Sequence, residues 1–263
     1  MPNPIEILLD PISLAALALY GLLMLWEAIA PGRQLPAVTG WRARGALSFA
    51  VYFYLSSYLP LLWDGYFAPH QLFDLAAFGL WGGAAAVVLY EGGVYFWHRW
   101  IHASTTLWRV VHQMHHSAER MDSYGAFYFS PLDMVGWTLL GSICTVLVLG
   151  MSPQAATLFL LATFFLGVFQ HTSIKTPRWL GYLIQRPESH TFDHARGIHD
   201  RNFSDLPIFD ILFGTFENPA AYTHETGFHH GASARVLEML CFKDVSEPRF
   251  EPEMADALPS RAR

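Results

Sequence analysis

Leu75-Ala-Ala-Phe-Gly-Leu-Trp-Gly-Gly-Ala-Ala-Ala-Val-Val-Leu-Tyr-Glu91-Gly-Gly-Val-Tyr-Phe-Trp97-His98-Arg-Trp-Ile-His102, continued by His112-Gln-Met-His115-His116, sets the character of the whole chain. Leu75–Trp97 is long enough to cross a bilayer core, which takes about 20 helical residues. Five histidines then fall within the nineteen residues 98–116. Neutral imidazole is the commonest side-chain metal ligand, and its intermediate softness suits Fe, Zn, Cu and Ni. His98 and His102 stand one helical turn apart on one face. His112, His115 and His116 follow at i, i+3 and i+4, again reading as one face. His171, His190 and His194 recur downstream, the last two again four apart. Eight clustered imidazoles exceed one tetrahedral site and point to two metal ions.

Composition widens this reading. Of 263 residues, 52% are hydrophobic and 14% charged, against roughly 25% charged in a soluble domain. Apolar segments run over Pro11–Ala30, Ala46–Trp63, Leu75–Trp97, Val135–Gly150 and Gln154–Gln170. Only Met151-Ser152-Pro153 separates the last two, a tight helical hairpin with Pro153 in the first turn of its second arm. The first segment lacks a basic leader and is followed by Pro31-Gly32, so it is not a cleavable signal. The expected fold is all-α: a polytopic membrane helix bundle of four to five spanning or re-entrant helices under a cytosolic histidine-rich helical cap. Residues 1–263 form a single membrane domain, with a catalytic core over 80–220 and a tail over 221–263 that is loosely ordered from Glu247 to Arg263. With the N-terminus outside, all 16 Lys and Arg fall in the inward stretches 31–45, 98–134 and 171–263, as the positive-inside rule requires. The histidine cluster is then cytoplasmic, His70 lies outside, and a bacterial inner membrane is the expected location. Cys144 and Cys241 form no C-x-x-C pair; the modest net charge of −6 argues nothing about nucleic acid, and no nucleic-acid partner is expected.

Heme would want axial histidines within the spans, whereas these lie at helix ends and in loops. No His-Glu-x-x-His motif marks a zinc peptidase, and structural zinc favours cysteine-containing sets of four. Two irons fit best, although imidazole alone leaves zinc and manganese open. An iron pair beside an apolar bundle suits O2 activation against a lipid C–H bond. Glu91, seven residues before His98, either orients a ligand imidazole or is a buried acid bonded to a neighbouring helix. His199 is a ligand or an outer partner, while His224, His229 and His230 read as surface residues. Tyr95, Trp97, Trp100, Trp108 and Phe127–Phe129 read as an interfacial belt and core packing.

His98-x-x-x-His102, His112-x-x-His115-His116-Ser117, Gln170-His171, Arg186-Pro-Glu-Ser-His190 with His194, and Asn202-Phe-Ser-Asp205 through Gly214-Thr215-Phe216 together resemble the fatty acid hydroxylase/sterol desaturase superfamily of integral-membrane, histidine-box di-iron oxidases. The resemblance covers roughly residues 80–220. It implies that His98, His102, His112, His115, His116, His190 and His194 carry catalysis, and that these with His171 and Asp193 hold two iron ions. It also implies O2 as co-substrate, a sterol, fatty acyl or sphingoid lipid as substrate for hydroxylation or desaturation, and a separate electron donor of the cytochrome b5 or ferredoxin/reductase kind. Two positions depart from the family pattern. Asp193 stands where the third box carries a histidine, so it either ligates as a carboxylate or marks a lost ligand. Ser130-Pro131 stands where relatives carry His-Pro. The competing readings are a zinc-dependent lipid hydrolase or lyase, and a non-catalytic relative that binds metal or lipid. Asn202, Asp205 and Asp210 either fix a histidine tautomer or cap a turn.

Overall fold

The computed structural model describes residues 1–248; most of the expected loose tail, from Arg249 onward, lies outside them. Among the described residues the chain is helical, with only two isolated bridges, Pro31 with Ile174 and Ala195 with Thr226. In order the helices are α1 (Pro4–Leu9), α2 (Pro11–Ile29), α3 (Trp41–Tyr58), α4 (Pro60–Phe67), α5 (Leu80–Ala103), α6 (Thr105–Leu107), α7 (Gln113–His116), α8 (Pro131–Ser142), α9 (Pro153–His171), α10 (Pro187–His190), α11 (Ile208–Phe213) and α12 (Val236–Leu240). Wider π turns interrupt the α geometry at Trp108–His112 and Ile143–Val148.

Four segments are long and apolar enough to cross a membrane: Pro11–Ile29, Trp41–His70, Pro131–Val148 and Pro153–His171. Between 11% and 33% of each is buried within the protein, so most of their apolar surface faces outward. Leu22, Leu25, Leu47, Leu61 and Leu62 are exposed, a surface that only a lipid environment makes inexpensive. The chain is a multi-pass membrane protein. The third apolar segment of the sequence becomes α5, shifted to end at Ala103, and it is not among these four. Glu91, Arg99 and two histidines interrupt its apolar character.

α5 packs chiefly along α9. Gly83 makes this approach possible, since a Cβ there would lie 2.8 Å from the Ala155 carbonyl oxygen. The α8–α9 hairpin forms as its sequence dictates: Ser152 caps α9 by accepting from Ala155 N at 3.2 Å, with Pro153 at the first helical position. An aromatic core of Tyr20, Phe49, Tyr52, Phe127 and Phe164 joins α2, α3 and α9 to the segment after α7. That segment is pinned by hydrogen bonds from Tyr20 to the Ser123 carbonyl, Ser48 to the Phe127 carbonyl and Trp41 to Asp122. The bundle thereby holds α7 and its histidines against the ends of α5 and α9.

Candidate metal centre

His98 and His102 leave the last turns of α5, where the helix C-terminus favours positive charge. Ser104 caps the next turn, and the π turn Trp108–His112 then swings the chain back over them. The structure divides the eight histidines into two groups of four. His98, His102, His112 and His116 converge in one, and His115, His171, His190 and His194 in the other. His112, His115 and His116 therefore do not serve as one face. His112 and His116 turn to the first group while His115, between them, turns to the second.

Within each group the ring nitrogens meet at short range. His98 Nε2 lies 3.0 Å from both His102 Nε2 and His112 Nε2. His171 Nε2 lies 3.0 Å from His115 Nε2 and 3.1 Å from His190 Nε2. Hydrogen-bond partners on the far side of the rings settle what these contacts are. His98 Nδ1 donates to the Phe203 carbonyl at 2.8 Å, and His102 Nδ1 to the His199 carbonyl at 2.7 Å. His112 Nδ1 donates to Asp133 Oδ2 at 2.6 Å and His171 Nδ1 to the Gly167 carbonyl at 2.6 Å. A neutral imidazole with its proton on Nδ1 presents a bare lone pair at Nε2. In the first group three lone pairs thus face one another with no proton between them. That arrangement is repulsive unless a cation accepts them, and outer-shell acceptors on Nδ1 are what metal-bound imidazoles ordinarily have.

Burial agrees. It holds His112, His115, His116, His190 and His194 well below the usual histidine range, and neighbouring imidazoles lower them further. All five are therefore neutral, the form that ligates. Both ring nitrogens of His116 and His194 are sealed from solvent with no hydrogen-bond partner, a cost that proteins seldom carry without a ligand. The donor set fits two transition-metal ions.

Asp193 lies between the groups. Its Oδ2 is 3.4 Å from His116 Nε2, 3.6 Å from His98 Nε2 and 3.8 Å from His194 Nε2. Its Oδ1 is 3.6 Å from His102 Nε2. Neither oxygen has a hydrogen-bond donor, and burial, then Asp210, push its carboxyl well above the usual range. Each group has four imidazoles without it, so an aspartate at position 193 leaves neither group short of its four histidines. Ser130 approaches neither group. It caps α8 by accepting from Asp133 N at 3.2 Å and donates to the Val111 carbonyl at 2.6 Å, tying α8 to the π turn.

The supporting residues differ partly from those the sequence suggests. Glu91 touches no imidazole; it accepts from Ser204 Oγ and Asp205 N, at 3.1 and 2.9 Å, and so anchors the loop after His199. Asp133, which pattern reasoning passed over, is the carboxylate that orients a ring. A lone acid in the first turn of an apolar helix was the available signal. Asp210 accepts from Phe203 N, Ser204 N and Thr215 Oγ1, holding in place the Phe203 carbonyl that His98 uses. Asn202 adopts φ +58°, a conformation Asn tolerates, and its side chain ties Ser189 to Glu217. Fully buried Arg186 bonds Thr176, Asn218 and Pro219, fixing the start of α10 and so His190. His199 donates to the Asp193 carbonyl at 3.0 Å and is an outer partner of the first group. His70, His224 and His230 lie outside both groups, as does His229, which bonds Val245. Trp108 packs on His102 and His116 with centroids 4.8 and 4.7 Å away.

A cavity of about 480 Å³ runs from the histidines into the bundle. His98, His112, His115, His171 and His190 line one part of it, and Phe53, Phe127, Phe159 and Phe164 much of the rest. The size and apolar lining are those of a small-ligand site.

The fold and site define a membrane protein whose helix ends gather two polyhistidine groups beside an apolar cavity. The chain belongs to the fatty acid hydroxylase family, whose model matches residues 83–215. It is 28% identical over 163 residues to sphinganine C4-monooxygenase 1 of Arabidopsis thaliana, covering 60% of this chain and 61% of that protein. It is 27% identical over 142 residues to a sphingolipid C4-hydroxylase of Schizosaccharomyces pombe, 52% of this chain and 48% of that one. An ornithine lipid hydroxylase of Rhizobium tropici is 33% identical over 140 residues, 51% and 41% of the two chains. The chain thus spans about half the length of the curated relatives it matches. No solved structure matches it.

Proposed function

We propose that this protein is an O2-dependent di-iron lipid hydroxylase. The observation that carries the reading is two groups of four buried imidazoles, with three lone pairs of the first converging, at the wall of an apolar cavity. His98, His102, His112 and His116 would hold one iron, and His115, His171, His190 and His194 the other. Asp193 would contribute a carboxylate between them. When bound, the irons supply the oxidising chemistry for an unactivated C–H bond, which no side chain provides.

The chain's own residues do the remaining work. Asp133 and the carbonyls of Phe203, His199 and Gly167 keep the proton on Nδ1 of four rings, so that each Nε2 stays free to ligate. The aromatic lining orients the lipid chain and excludes water, which would otherwise divert the oxidant. The names of the relatives, a sphinganine monooxygenase, a sphingolipid hydroxylase and an ornithine lipid hydroxylase, support a membrane lipid as substrate. Electrons would come from a separate protein of the cytochrome b5 or ferredoxin kind. The distribution of Lys and Arg favours a cytoplasmic histidine cluster, and a bacterial inner membrane is the location we favour. The catalytic core is assigned to residues 80–220 of a single membrane domain.

The test is metal analysis of the detergent-purified protein, followed by incubation of membranes with candidate lipids under labelled O2. About two irons per chain and a product heavier by one labelled oxygen are expected. One zinc per chain would favour a hydrolase or lyase. No metal after gentle purification would refute a metalloenzyme altogether.

A further inference from the structure

Besides the histidines, two acids, Asp205 and Asp64, line the cavity, and no Lys or Arg does. Asp205 belongs to the loop anchored on Glu91, to which its own amide donates. Its Oδ1 accepts from Gln170 Nε2 at 2.7 Å, and Gln170 immediately precedes His171. Its Oδ2 has no hydrogen bond among the described residues and is not sealed from the cavity. Directly behind it, Glu91 spends Oε2 on Ser204 and the Asp205 amide while Oε1 is sealed with no partner. No cation forms an ion pair with either acid among the described residues.

Carboxylates withdrawn from water without a cation are expensive, and the cost is relieved by a ligand that brings donors or positive charge. We propose that Asp205, its Oδ1 held by Gln170, is a specificity-determining residue that receives the polar end of the substrate, and that this end is a protonated amine on a single apolar chain. An ammonium supplies three donors and the opposite charge, a hydroxyl one donor and no charge. A carboxylate supplies no donor and sets a like charge against Asp205. Binding at Asp205 places the first carbons of the chain beside the imidazoles that share the cavity, with the remainder running towards Phe53 and Phe159. The inference rests on the cavity being the lipid site.

Because bound metal ions would themselves attract an anion, the test is made on full-length protein in detergent, both metal-free and zinc-loaded. Equilibrium binding of octadecylamine, octadecanol and octadecanoate is compared. Wild type should bind the amine at least tenfold more tightly than the carboxylate in both forms, with the alcohol between. Asp205→Asn should remove at least tenfold of the amine's advantage while leaving octadecanol within threefold, and Asp205→Glu should retain the preference. Equal wild-type binding of amine and carboxylate overturns the proposal without recourse to any variant. So does an unchanged ratio in Asp205→Asn. A wild type that binds none of the three chains instead refutes the lipid-cavity reading beneath it.

Discussion

Asp133 is the sharpest place to probe the first histidine group. Its Oδ2 accepts from His112 Nδ1 at 2.6 Å, and both side chains are almost completely buried. A hydrogen bond to a charged acceptor contributes about 1.5–3 kcal/mol, a neutral one about 0.5–1.5. Asp133→Asn keeps an acceptor and removes the charge, so about 1.4 kcal/mol is lost, or about tenfold in metal affinity. Asp133→Leu strands the imidazole N–H in a sealed site. The unmet donor costs about 1–3 kcal/mol more, and the total approaches about a hundredfold. Asp133 touches no ring of the second group, so that group should hold its metal within about threefold of wild type. The assay is anaerobic Fe²⁺ titration of the detergent-purified protein against a chromophoric chelator, resolved into two binding steps. One step should weaken in the order Asn then Leu while the other stays. Wild-type affinity at both steps in both variants would refute the claim that Asp133 orients a ligand.

Asp193→Asn should still bind two ions, because each group keeps its four imidazoles, but both steps should weaken at least about tenfold; metal analysis at limiting and saturating Fe²⁺ decides, and unchanged affinity removes Asp193 from the site. In the metal-free protein, unfolded histidines take up protons below about pH 6.5, while buried His112, His115, His116, His190 and His194, held below that value, do not. The unfolded state then binds more protons, so stability falls as pH drops through that window. Raised carboxyls, among them Asp193, Asp205 and Asp210, the last pushed up to about 6, oppose this, but the lowered histidines outnumber them. The thermal midpoint should be lower at pH 5.5 than at 7.5, and a higher one would contradict neutral buried imidazoles. Gly83→Ala forces α5 away from the Ala155 carbonyl. A loss of about 1–3 kcal/mol is expected, read as a lower thermal midpoint; an unchanged midpoint would mean the helices part freely.

Much of the architecture is legible in the chain. Twenty-residue apolar runs, the Ser152-Pro153 cap and the aromatic-rich stretches read directly as spans, a hairpin and a core, because each depends on neighbours in sequence. The eight histidines are legible too, since i, i+4 spacing is a local signal. Their partition is not. Local spacing puts His112, His115 and His116 together, and only the approach of α9 and α10 draws His115 away from the residues on either side.

The same division runs through the rest of the site. By itself the sequence determined that this is an all-α membrane protein whose helix ends bear two metals' worth of imidazole. Hydrophobicity and helical period are properties of short segments and survive without any tertiary contact. The tertiary structure alone decided which four rings share a group, that Asp133 and not Glu91 supports one of them, that Asp193 lies between both sets, and that Ser130 is a helix cap. Most of those outcomes depend on contacts between segments distant in the chain, such as His112 with Asp133, 21 positions apart, and Glu91 with Ser204, 113 apart, which no periodicity encodes. Eight clustered imidazoles are legible in the chain; the packing of α5, α7, α9 and α10 sorts them into two groups of four.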